Sequence, residues 1–358
     1  MAMSGNTATH EGALRWGVLS TARIATNKVI PAIQASETGV VIALASRDLA
    51  TAERAASAAD HPNMSPVGRA HGSYEELLAD PEVDAIYNPL PNHLHVPWTI
   101  KALEAGKHVL CEKPISLDVN EAQRLIDATA DYPDLVVMEA FMYRFHPQWI
   151  RAKELVDSGE LGPLRGHQTW FSYFTDDPAN IRHRAEWGGG ALFDIGCYPV
   201  SSARWLFGQQ PQRVVGAYDL DQRFGVDRSV SAILEFETGR ADFTCSMQAH
   251  PFQRVNLVFE RGRYEIEIPM NAPANQVTRA WLSTSAGTEE LEFAPCDQYT
   301  LQADAFADAV FTGGEAPTSL SDALDNMAVL DALVASVRTK GWVSLPASGR
   351  PADEAGQP

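Results

Sequence analysis

From Arg15 to Glu139 the chain alternates short apolar runs with stretches that carry a helical pattern. Val, Ile and Leu dominate the runs, as they do in strands that are buried on both faces of a parallel sheet. The predicted strands cover residues 16–19, 40–45, 84–87, 108–111 and 135–138. Strands that alternate with helices form βαβ units. The pattern therefore predicts a doubly wound parallel α/β domain, to which we assign residues 13–140.

Beyond about Leu164 the apolar positions alternate strictly with polar ones. A period of two is typical of antiparallel strands with one covered face. The predicted strands cover residues 165–174, 213–219, 229–236, 241–247, 255–260 and 263–268, and two closing helices cover 299–311 and 321–338. Residues 141–346 are therefore predicted to form an α+β domain with a large open, mostly antiparallel sheet.

Composition and charge narrow the class of protein. A chain of 358 residues is long enough for two domains. Its formal net charge of −18 repels phosphate backbones, so we expect no nucleic-acid partner. No apolar run approaches the roughly 18 residues of a membrane span, so we expect no membrane association. Residues 1–12 lack the basic and apolar regions of a secretory signal, and they and the residues after Gly349 are predicted to be loose tails.

The four cysteines are widely spaced, and none belongs to a CxxC pair: Cys111, Cys197, Cys245 and Cys296. A zinc or thioredoxin-like site has no support from this spacing, and we predict no metal. Free thiols in a chain of this length are typical of a reducing compartment, so the cytoplasm is the expected location.

The turn after the first predicted strand is a candidate phosphate-binding turn. A dinucleotide fold prefers GxGxxG there, because the backbone must turn tightly and approach the pyrophosphate. This chain has Ser20, Ala22 and Ala25 at those three places. All three are small, and backbone N–H groups at the start of the following helix are suited to phosphate. An ordinary turn of small residues is the alternative.

The second predicted strand ends in Ser46-Arg47, about 20 residues beyond that turn, where a dinucleotide fold reads the ribose. An NAD enzyme prefers a carboxylate at this place, whereas an arginine binds the 2′-phosphate of NADP through charge-assisted hydrogen bonds. The sequence thus favours NADP(H) over NAD(H). The alternative is a solvated surface arginine, with Asp48 as the cap of the next helix.

Two further segments follow predicted strands, at the carboxyl edge where doubly wound sheets bind ligands. The first covers residues 87–95, and the second is Cys111-Glu112-Lys113-Pro114. Lys113 ends a buried strand, and a lysine in that place is able to point into a cleft. A Lys-Pro pair after a strand is, however, more often only a turn.

A later segment holds a carboxylate and a phenol at helical spacing. Asp194 and Tyr198 are four residues apart, so a helix places both on one face. In a cleft such a pair suits a hydroxyl substrate, because one group positions it while the other moves its proton. The alternative is a surface acid beside a core aromatic residue.

In order and spacing, these segments resemble the glucose–fructose oxidoreductase / inositol dehydrogenase family, Gfo/Idh/MocA, over residues 15–345. The resemblance rests above all on Glu112-Lys113-Pro114 together with residues 188–198, and segments 91–95, 105–108 and 138–140 add to it. It implies a Rossmann domain followed by a domain built on a large open sheet. In relatives that sheet commonly forms subunit contacts, so a homodimer or homotetramer through it is expected.

The resemblance also implies roles for individual residues. The family's catalytic lysine, aspartate and histidine or tyrosine correspond to Lys113, Asp194 and Tyr198. Residues expected to hold the cofactor are Ser20, Thr21, Ala22, Arg23, Ile24, Ser46, Arg47, Pro89, Leu90, Asn92, His95, Glu112 and Lys113. Residues expected at the substrate end are Phe141, Arg144, Phe171, Arg182, Trp187, Asp194 and Tyr198. Alanine at Arg144 or Arg182 is therefore expected to change KM or kcat more than the melting temperature.

Tyr198 stands where inositol dehydrogenases have histidine. In this it resembles glucose–fructose oxidoreductase, dimeric dihydrodiol dehydrogenase, NADP-dependent D-xylose dehydrogenase and some 3-ketosugar reductases. The replacement of the family's glycines by Ser20, Ala22 and Ala25 is a departure that concerns the contacts with pyrophosphate.

The implied function is an NADP(H)-dependent oxidoreductase that acts on a hydroxyl or carbonyl carbon of a small cyclic polyol, above all a sugar, in the manner of a D-xylose or aldose 1-dehydrogenase. A 3-ketosugar reductase and a trans-dihydrodiol dehydrogenase are alternatives. A catalytically silent dinucleotide-binding regulator, and glycoside cleavage or epimerisation with tightly held NAD, are alternatives of other classes. We expect Tyr198 to transfer the proton, Lys113 to lower its pKa, and Asp194 to position the substrate hydroxyl.

Overall fold

The computed structural model describes residues 12–346, so the predicted tails lie outside the described residues apart from Gly12. The first sheet is parallel, with strand order β3-β2-β1-β4-β5-β6. Its strands are β1 (Leu14–Leu19), β2 (Gly39–Ala45), β3 (Arg69–His71), β4 (Ala85–Asn88), β5 (His108–Cys111) and β6 (Val137–Glu139). All five predicted strands are confirmed. The strand order reverses between β1 and β4, and doubly wound sheets bind ligands at such a reversal.

Helices cover both faces of this sheet: α1 (Ile30–Gln34), α2 (Leu49–Ala56), α3 (Tyr74–Leu78), α4 (His95–Glu104) and α5 (Val119–Thr129). Side-chain caps begin α2, α3 and α5. The Ser73 hydroxyl accepts a hydrogen bond from the Glu76 N–H at 3.1 Å, and the Asp118 carboxylate accepts one from the Glu121 N–H at 2.9 Å. These caps satisfy N–H groups that a helix start leaves without an intrahelical partner.

The second sheet has nine strands in the order β14-β13-β12-β11-β7-β10-β9-β8-β15. Only the pair of β7 and β10 is parallel, and the other neighbours run antiparallel. The strands are β7 (Leu164–Phe174), β8 (Arg213–Leu220), β9 (Asp227–Glu235), β10 (Arg240–Ser246), β11 (Gln248–Phe259), β12 (Gly262–Ile266), β13 (Thr278–Thr284), β14 (Gly287–Phe293) and β15 (Val343–Ser344). The six predicted strands are all present. An α/β domain followed by an α+β domain is therefore confirmed as the fold class.

Four longer helices belong to the second half of the chain: α6 (Pro147–Ser158), α7 (Cys197–Phe207), α8 (Gln298–Thr312) and α9 (Leu320–Thr339). Helix α8 returns to the first sheet, where the Phe306 ring lies 5.0 Å from the Trp16 ring and the Thr300 hydroxyl donates to the Ala32 carbonyl. Helix α9 contacts α5, since the Val119 N–H donates to the Asp331 carboxylate at 2.9 Å. The packing of α8 therefore crosses the predicted boundary between residues 13–140 and 141–346.

The cysteines are free thiols, as predicted, with Cys111, Cys197 and Cys245 buried and Cys296 partly buried. Within residues 12–346, no helix has both the length and the apolar character that crossing a bilayer would require.

Candidate active site

A cleft of about 670 Å³ lies between the carboxyl edge of the first sheet and the second domain. Its first wall is formed by the turn after β1, the segment after β4, and Glu112-Lys113 after β5. Its second wall is formed by the end of β7, the loop that follows it, and a π-helical turn (Leu192–Gly196) that leads into α7. The cleft therefore opens at the reversal point of the first sheet.

The structure brings most of the predicted site residues to this cleft. The predicted cofactor residues that line it are Ala22, Arg23, Ile24, Pro89, Leu90, Asn92, His95, Glu112 and Lys113. The predicted substrate residues that line it are Phe171, Arg182, Trp187, Asp194 and Tyr198. Six predicted residues do not line it: Ser20, Thr21, Ser46, Arg47, Phe141 and Arg144.

Ser20 takes the place of the first glycine of the dinucleotide turn, and it adopts the backbone conformation that favours glycine. Its φ is +77°, in the left-handed region, and its N–H donates to the Ala45 carbonyl at 3.0 Å. The Ser20 hydroxyl accepts a hydrogen bond from the Ala22 N–H at 3.2 Å. This local bond supports a conformation that is costly for most L-residues. The tight turn is therefore kept without the glycine.

Arg47 lies exposed at the carboxyl end of β2. The next residue, Asp48, caps α2, because its carboxylate accepts hydrogen bonds from the Thr51 N–H at 2.8 Å and the Thr51 hydroxyl at 2.6 Å. The helix cap at Asp48, which belonged to the alternative interpretation of this segment, is thus present. It uses Asp48 and leaves the Arg47 guanidinium available for an anion.

The segment after β4 joins the two domains across the cleft. The Asn92 amide donates to the Gly188 carbonyl at 2.8 Å, and the His93 ring stacks on the Trp187 ring with centroids 5.3 Å apart. Two residues on, His95 is buried, with Nδ1 2.7 Å from the Pro114 carbonyl and Nε2 2.7 Å from the Leu90 carbonyl.

Burial lowers the pKa of His95 to about 4, so its imidazole is neutral at physiological pH. A neutral ring carries one N–H and donates to only one of its two carbonyl neighbours. We interpret His95 as a fixed wall of the cleft rather than as a proton carrier.

Glu112 lines the cleft beside Lys113, and a tyrosine of the neighbouring strand β4 holds its carboxylate. The Tyr87 hydroxyl donates to its carboxylate at 2.7 Å. Burial raises the pKa of Glu112 above its ordinary value, although Lys113 and the Tyr87 hydrogen bond act in the opposite direction. The buried tyrosine therefore fixes the position of the carboxylate at the base of the cleft.

Lys113 extends from the end of β5 to the π-helical turn. The peptide bond to Pro114 is cis, and the Lys113 ammonium donates to the main-chain carbonyl of Asp194 at 2.7 Å. In a π-helix a carbonyl pairs with the N–H five residues later, and that residue here is Pro199, which has no N–H. The proline thus leaves the Asp194 carbonyl available to the lysine.

The Asp194 side chain is the centre of a cluster of polar groups. One carboxylate oxygen lies 2.9 Å from Arg182 Nε and 3.6 Å from Lys113 Nζ, and the other accepts a hydrogen bond from the Tyr173 hydroxyl. Burial alone would raise its pKa, but the charges of Arg182 and Lys113 outweigh burial and hold the pKa well below its usual range. Both oxygens have protein partners, so the carboxylate holds these two cations and this hydroxyl in place.

Tyr198 lines the cleft one helical turn beyond Asp194, with its ring packed edge-on against Phe171 and Phe141. Its hydroxyl lies 3.6 Å from the Met142 sulfur. Burial raises its pKa well above the ordinary tyrosine value. The expectation that Lys113 lowers this pKa is therefore wrong for the structure as it stands, because desolvation of the buried phenol dominates. The phenol is protonated at neutral pH and is ready to donate.

Phe141 and Arg144 need correction as substrate residues. Phe141 is fully buried and supports Tyr198 from behind, with ring centroids 5.4 Å apart. The Arg144 guanidinium pairs with Asp322 of α9 at 2.7 Å and donates to the Ser201 hydroxyl of α7 at 2.7 Å. Both residues lie behind α7, on the side away from the cleft, because the chain after β6 turns into the core.

Gly188, Gly189 and Gly190 precede the π-helical turn and allow neighbouring atoms to pack closely against the backbone there. A Cβ at Gly190, where φ is +111°, would lie 2.0 Å from a carboxylate oxygen of Asp227. That carboxylate accepts a hydrogen bond from the Leu192 N–H at 2.7 Å and so caps the helical segment that carries Asp194. Burial raises the pKa of Asp227 to about 7. Asp227 was not found by sequence reasoning, because it stands alone at the start of β9.

Other residues at the cleft were also missed: Asn27, Lys28, Met142, Tyr173, Asp177, Asn180, Asn271 and Tyr299. Tyr173 had a usable signal, because it lies two residues beyond Phe171 on the same strand and thus on the same face. Asn271 and Tyr299 come from a loop and a helix far along the chain and belong to no motif, so nothing in the sequence places them here.

Family models match both domains. The model "Oxidoreductase family, NAD-binding Rossmann fold" matches residues 14–140, and the model "GFO/IDH/MocA C-terminal domain" matches residues 149–265. The chain is 43% identical over 335 residues to the uncharacterized oxidoreductase ORF334 of Rhizobium meliloti, which covers 92% of this chain and 98% of that protein. It is 38% identical over 334 residues to D-xylose 1-dehydrogenase (NADP(+)) 2 of Haloferax volcanii, with coverage of 93% and 100%.

A solved structure has the same overall fold. It is that of KijD10, a 3-ketoreductase from Actinomadura kijaniata in complex with NADP and TDP-benzene. The TM-score is 0.82 at 30% sequence identity, and the match covers 90% of this chain and 98% of that chain. The similarity therefore extends over both domains and the cleft between them.

Proposed function

The chain belongs to the GFO/IDH/MocA oxidoreductase family, and from that premise we propose that it is an NADP(H)-dependent enzyme acting on a small cyclic sugar. The proposed reaction moves a hydride between the nicotinamide and a carbon that carries a hydroxyl or carbonyl group. An aldose oxidised at its anomeric carbon, in the manner of the D-xylose dehydrogenase relative, is the leading substrate. The observation that carries the proposal is the meeting of Lys113, Asp194 and Tyr198 in one cleft at the reversal point of the first sheet.

The residues at the first wall fit a dinucleotide. The Ser20 turn is tight, the positions beside it are small, and the cleft continues past Arg23 and Lys28. These two cations and the N–H groups of the turn would hold the pyrophosphate. Arg47 would hold the 2′-phosphate of NADP. When bound, the nicotinamide would supply or accept the hydride.

The chain's own residues would handle the proton. Tyr198 carries a proton at neutral pH, so in reduction its hydroxyl donates that proton to the carbonyl oxygen as the substrate becomes an alcohol. In oxidation the phenolate form of Tyr198 would take the proton of the substrate hydroxyl, so in this direction the phenol must first lose its own proton to solvent. Lys113 and Arg182, both held by Asp194, would orient the substrate oxygen through their remaining N–H groups.

A 3-ketosugar reductase is the second candidate. The high pKa of Tyr198 favours it, because a protonated phenol is an acid that suits reduction and a poor base for oxidation. A trans-dihydrodiol would fit the same aromatic wall of Phe171 and Trp187. A catalytically silent regulator is disfavoured, because a protein that only binds dinucleotide needs neither Lys113 nor Tyr198.

The test is an absorbance assay at the nicotinamide band with aldoses, ketosugars and cyclic diols, each with both cofactors. We expect turnover with at least one free aldose or ketosugar and a preference for NADP(H). The variant Tyr198→Phe serves as the control for background activity. Absence of turnover over the whole panel, with NADPH bound normally, would favour a regulator. Co-purifying NAD(H), found by mass analysis of the denatured protein, would favour a mechanism that cycles a tightly held cofactor.

We further propose that two copies pair through the outer face of the second sheet. Four exposed apolar side chains lie on that face: Trp170, Ile233, Phe252 and Val258. The register of strands β7, β9, β10 and β11 places all four on the same side of the sheet, and each side chain is exposed by about two-fifths or more. Exposed apolar residues grouped on one sheet face are typical of a protein–protein interface.

A further inference from the structure

We infer that the substrate is a free, uncharged sugar, and that the cleft discriminates against sugars that carry a phosphate or a nucleoside diphosphate. The inference rests on the proposed function and concerns its substrate class. It starts from the charges at the second-domain end of the cleft, where the substrate would bind.

The two cations at that end share one carboxylate partner. Among residues 12–346, the cations that line it are Lys113 and Arg182, and both pair with the single carboxylate of Asp194. The charge of Asp194 raises the pKa of Arg182 above its ordinary value, which reflects how firmly the pair is held. Phosphate recognition needs cations or N–H groups that are free to form charge-assisted bonds. Taking these two from Asp194 would leave a buried carboxylate without its partners.

A further charge on the lining at that end is negative, so the charges of Lys113 and Arg182 are balanced by those of Asp194 and Asp177. Asp177 lines the cleft on the loop after β7, and Asp176 precedes it. The nearby His183 does not offset them, because burial lowers its pKa and keeps the ring neutral. Arg184, the next cation on the loop, is exposed and does not line the cleft. A phosphate at the mouth would thus meet a like charge, and like-charge contacts are a strong device against the wrong partner.

The first-domain end of the cleft differs because its cations have no ion-pair partner, so it is suited to anions. Arg23 and Lys28 line the cleft there, and no ion pair within the described part of the chain involves either of them. The structure thus separates an anion-binding half, suited to the cofactor phosphates, from a substrate half whose two cations are both paired with Asp194.

Neutral hydroxyl groups suit the substrate half well. Asn180 and Asn271 line it with amide groups, and Tyr173 and Tyr299 line it with hydroxyl groups. Phe171, Ile195 and Trp187 add apolar and aromatic surface of the kind that packs against the C–H face of a sugar ring. The substrate half therefore offers neutral polar groups and aromatic surface to a sugar ring.

The test compares D-glucose with D-glucose 6-phosphate, because both form the same pyranose ring and would react at the same carbon. With NADP saturating, we expect kcat/KM to be at least about tenfold lower for the phosphate ester. We also expect TDP at millimolar concentration not to compete with the sugar that is turned over. Equal or higher kcat/KM for a phosphate ester, or competition by TDP against the sugar, would overturn the inference.

A pair of variants tests the charge argument directly. Asp177→Asn should raise the relative kcat/KM of the phosphate ester severalfold, whereas Asp176→Asn, one residue away and outside the lining, should change it less. An unchanged ratio in Asp177→Asn would remove Asp177 from the argument and contradict the inference. If neither free nor phosphorylated sugars nor diols are turned over, the proposed function itself fails. Turnover of a nucleoside-diphosphate ketosugar alone would leave the oxidoreductase function standing and overturn only this inference.

Discussion

The ammonium group of Lys113 lies 5.0 Å from the centre of the Tyr198 ring, over its face, while it donates a hydrogen bond to the carbonyl of Asp194. A cation over an aromatic face is attracted by the ring quadrupole, so the lysine fixes the plane of the phenol. Burial raises the pKa of the phenol well above the ordinary tyrosine value in spite of this neighbouring cation. Lys113 therefore orients Tyr198 more than it acidifies it.

Tyr198→Phe isolates the proton-transfer role, because it keeps the buried ring and removes only the hydroxyl. We expect kcat to fall by at least about 100-fold with the affinity for NADPH unchanged. Steady-state kinetics and NADPH fluorescence titration measure the two quantities. Tyr143→Phe, a buried neighbour that does not line the cleft, is the matched control and should retain most of the activity. Turnover near normal in Tyr198→Phe would transfer the role to Lys113.

Asp194→Asn tests the cluster that holds the two cations. At neutral pH we expect it to lower the free energy of unfolding by about 1–3 kcal/mol, because buried cations lose their charged partner. The folded-state pKa of Asp194 is depressed, so its stabilising effect is complete above the ordinary aspartate pKa and is lost as the pH falls below about 4.

Denaturant titrations over a pH series measure this difference. The gap between wild type and Asp194→Asn should narrow as the pH falls. Asp219→Asn removes an exposed partner of Arg228 and should change stability by less than about 1 kcal/mol at any pH. A gap for Asp194→Asn that stays constant down to acid pH would contradict the depressed pKa.

Arg47→Ala tests the preference for NADP(H). One charge-assisted hydrogen bond contributes roughly 1.5–3 kcal/mol, so we expect NADP to bind about ten- to a hundredfold more weakly and NAD binding to be almost unchanged. Calorimetric titration with each cofactor measures this. Arg240→Ala, an exposed arginine on the second sheet, is the control for net charge. An equal loss for both cofactors would contradict the assignment.

Arg144→Ala should mainly lower stability, whereas Arg182→Ala should mainly change the kinetics. Arg144 is buried and paired with Asp322, so its loss should lower stability by about 3–5 kcal/mol while the folded enzyme keeps normal kinetics. Arg182 is partly exposed at the cleft, so its loss should raise KM or lower kcat with a smaller change in melting temperature. Thermal unfolding and steady-state kinetics on both variants make the comparison. Normal kinetics in Arg182→Ala would exclude it from the substrate end.

Trp170→Asp tests the proposed pairing of two copies. A charge in the middle of the outer sheet face should convert a dimer or tetramer to smaller species, as measured by light scattering coupled to gel filtration. Phe311→Asp alters an equally exposed aromatic residue on α8, outside that face, and should leave the assembly unchanged. A wild-type chain that is monomeric at micromolar concentration would contradict the proposal.

The strands and helices that could be predicted from the sequence are those in which buried apolar residues recur with a regular period. Strands such as β5 were found because Val109, Leu110 and Cys111 form a fully buried apolar run. Strand β3, Arg69-Ala70-His71, was missed because each of its residues is only partly buried, and an edge strand of three residues carries no apolar run. The outermost strands β13 and β14 were missed for a related reason, since the acid-rich face of β14 is open to solvent.

Within the site, local motifs gave the positions of residues but not the directions of their side chains. Lys113 and Tyr198 were placed by short segments that recur in a fixed order, and both line the cleft. Arg144 also lies beside such a segment, yet its guanidinium turns toward α9, and only the tertiary packing decides this. The partners of Asp194 come from a strand end, a loop and another sheet, so their meeting depends on contacts that no local pattern encodes.

The return of α8 to the first sheet has a consequence for biosynthesis. Phe306 covers Trp16, but on the ribosome β1 emerges long before α8 is made. At ordinary rates of translation the first sheet would wait on the order of ten seconds with an apolar face uncovered. During that interval the nascent chain would offer a binding surface to chaperones that recognise exposed apolar segments. The amino-terminal half therefore reaches its final stability only when nearly the whole chain has been synthesised.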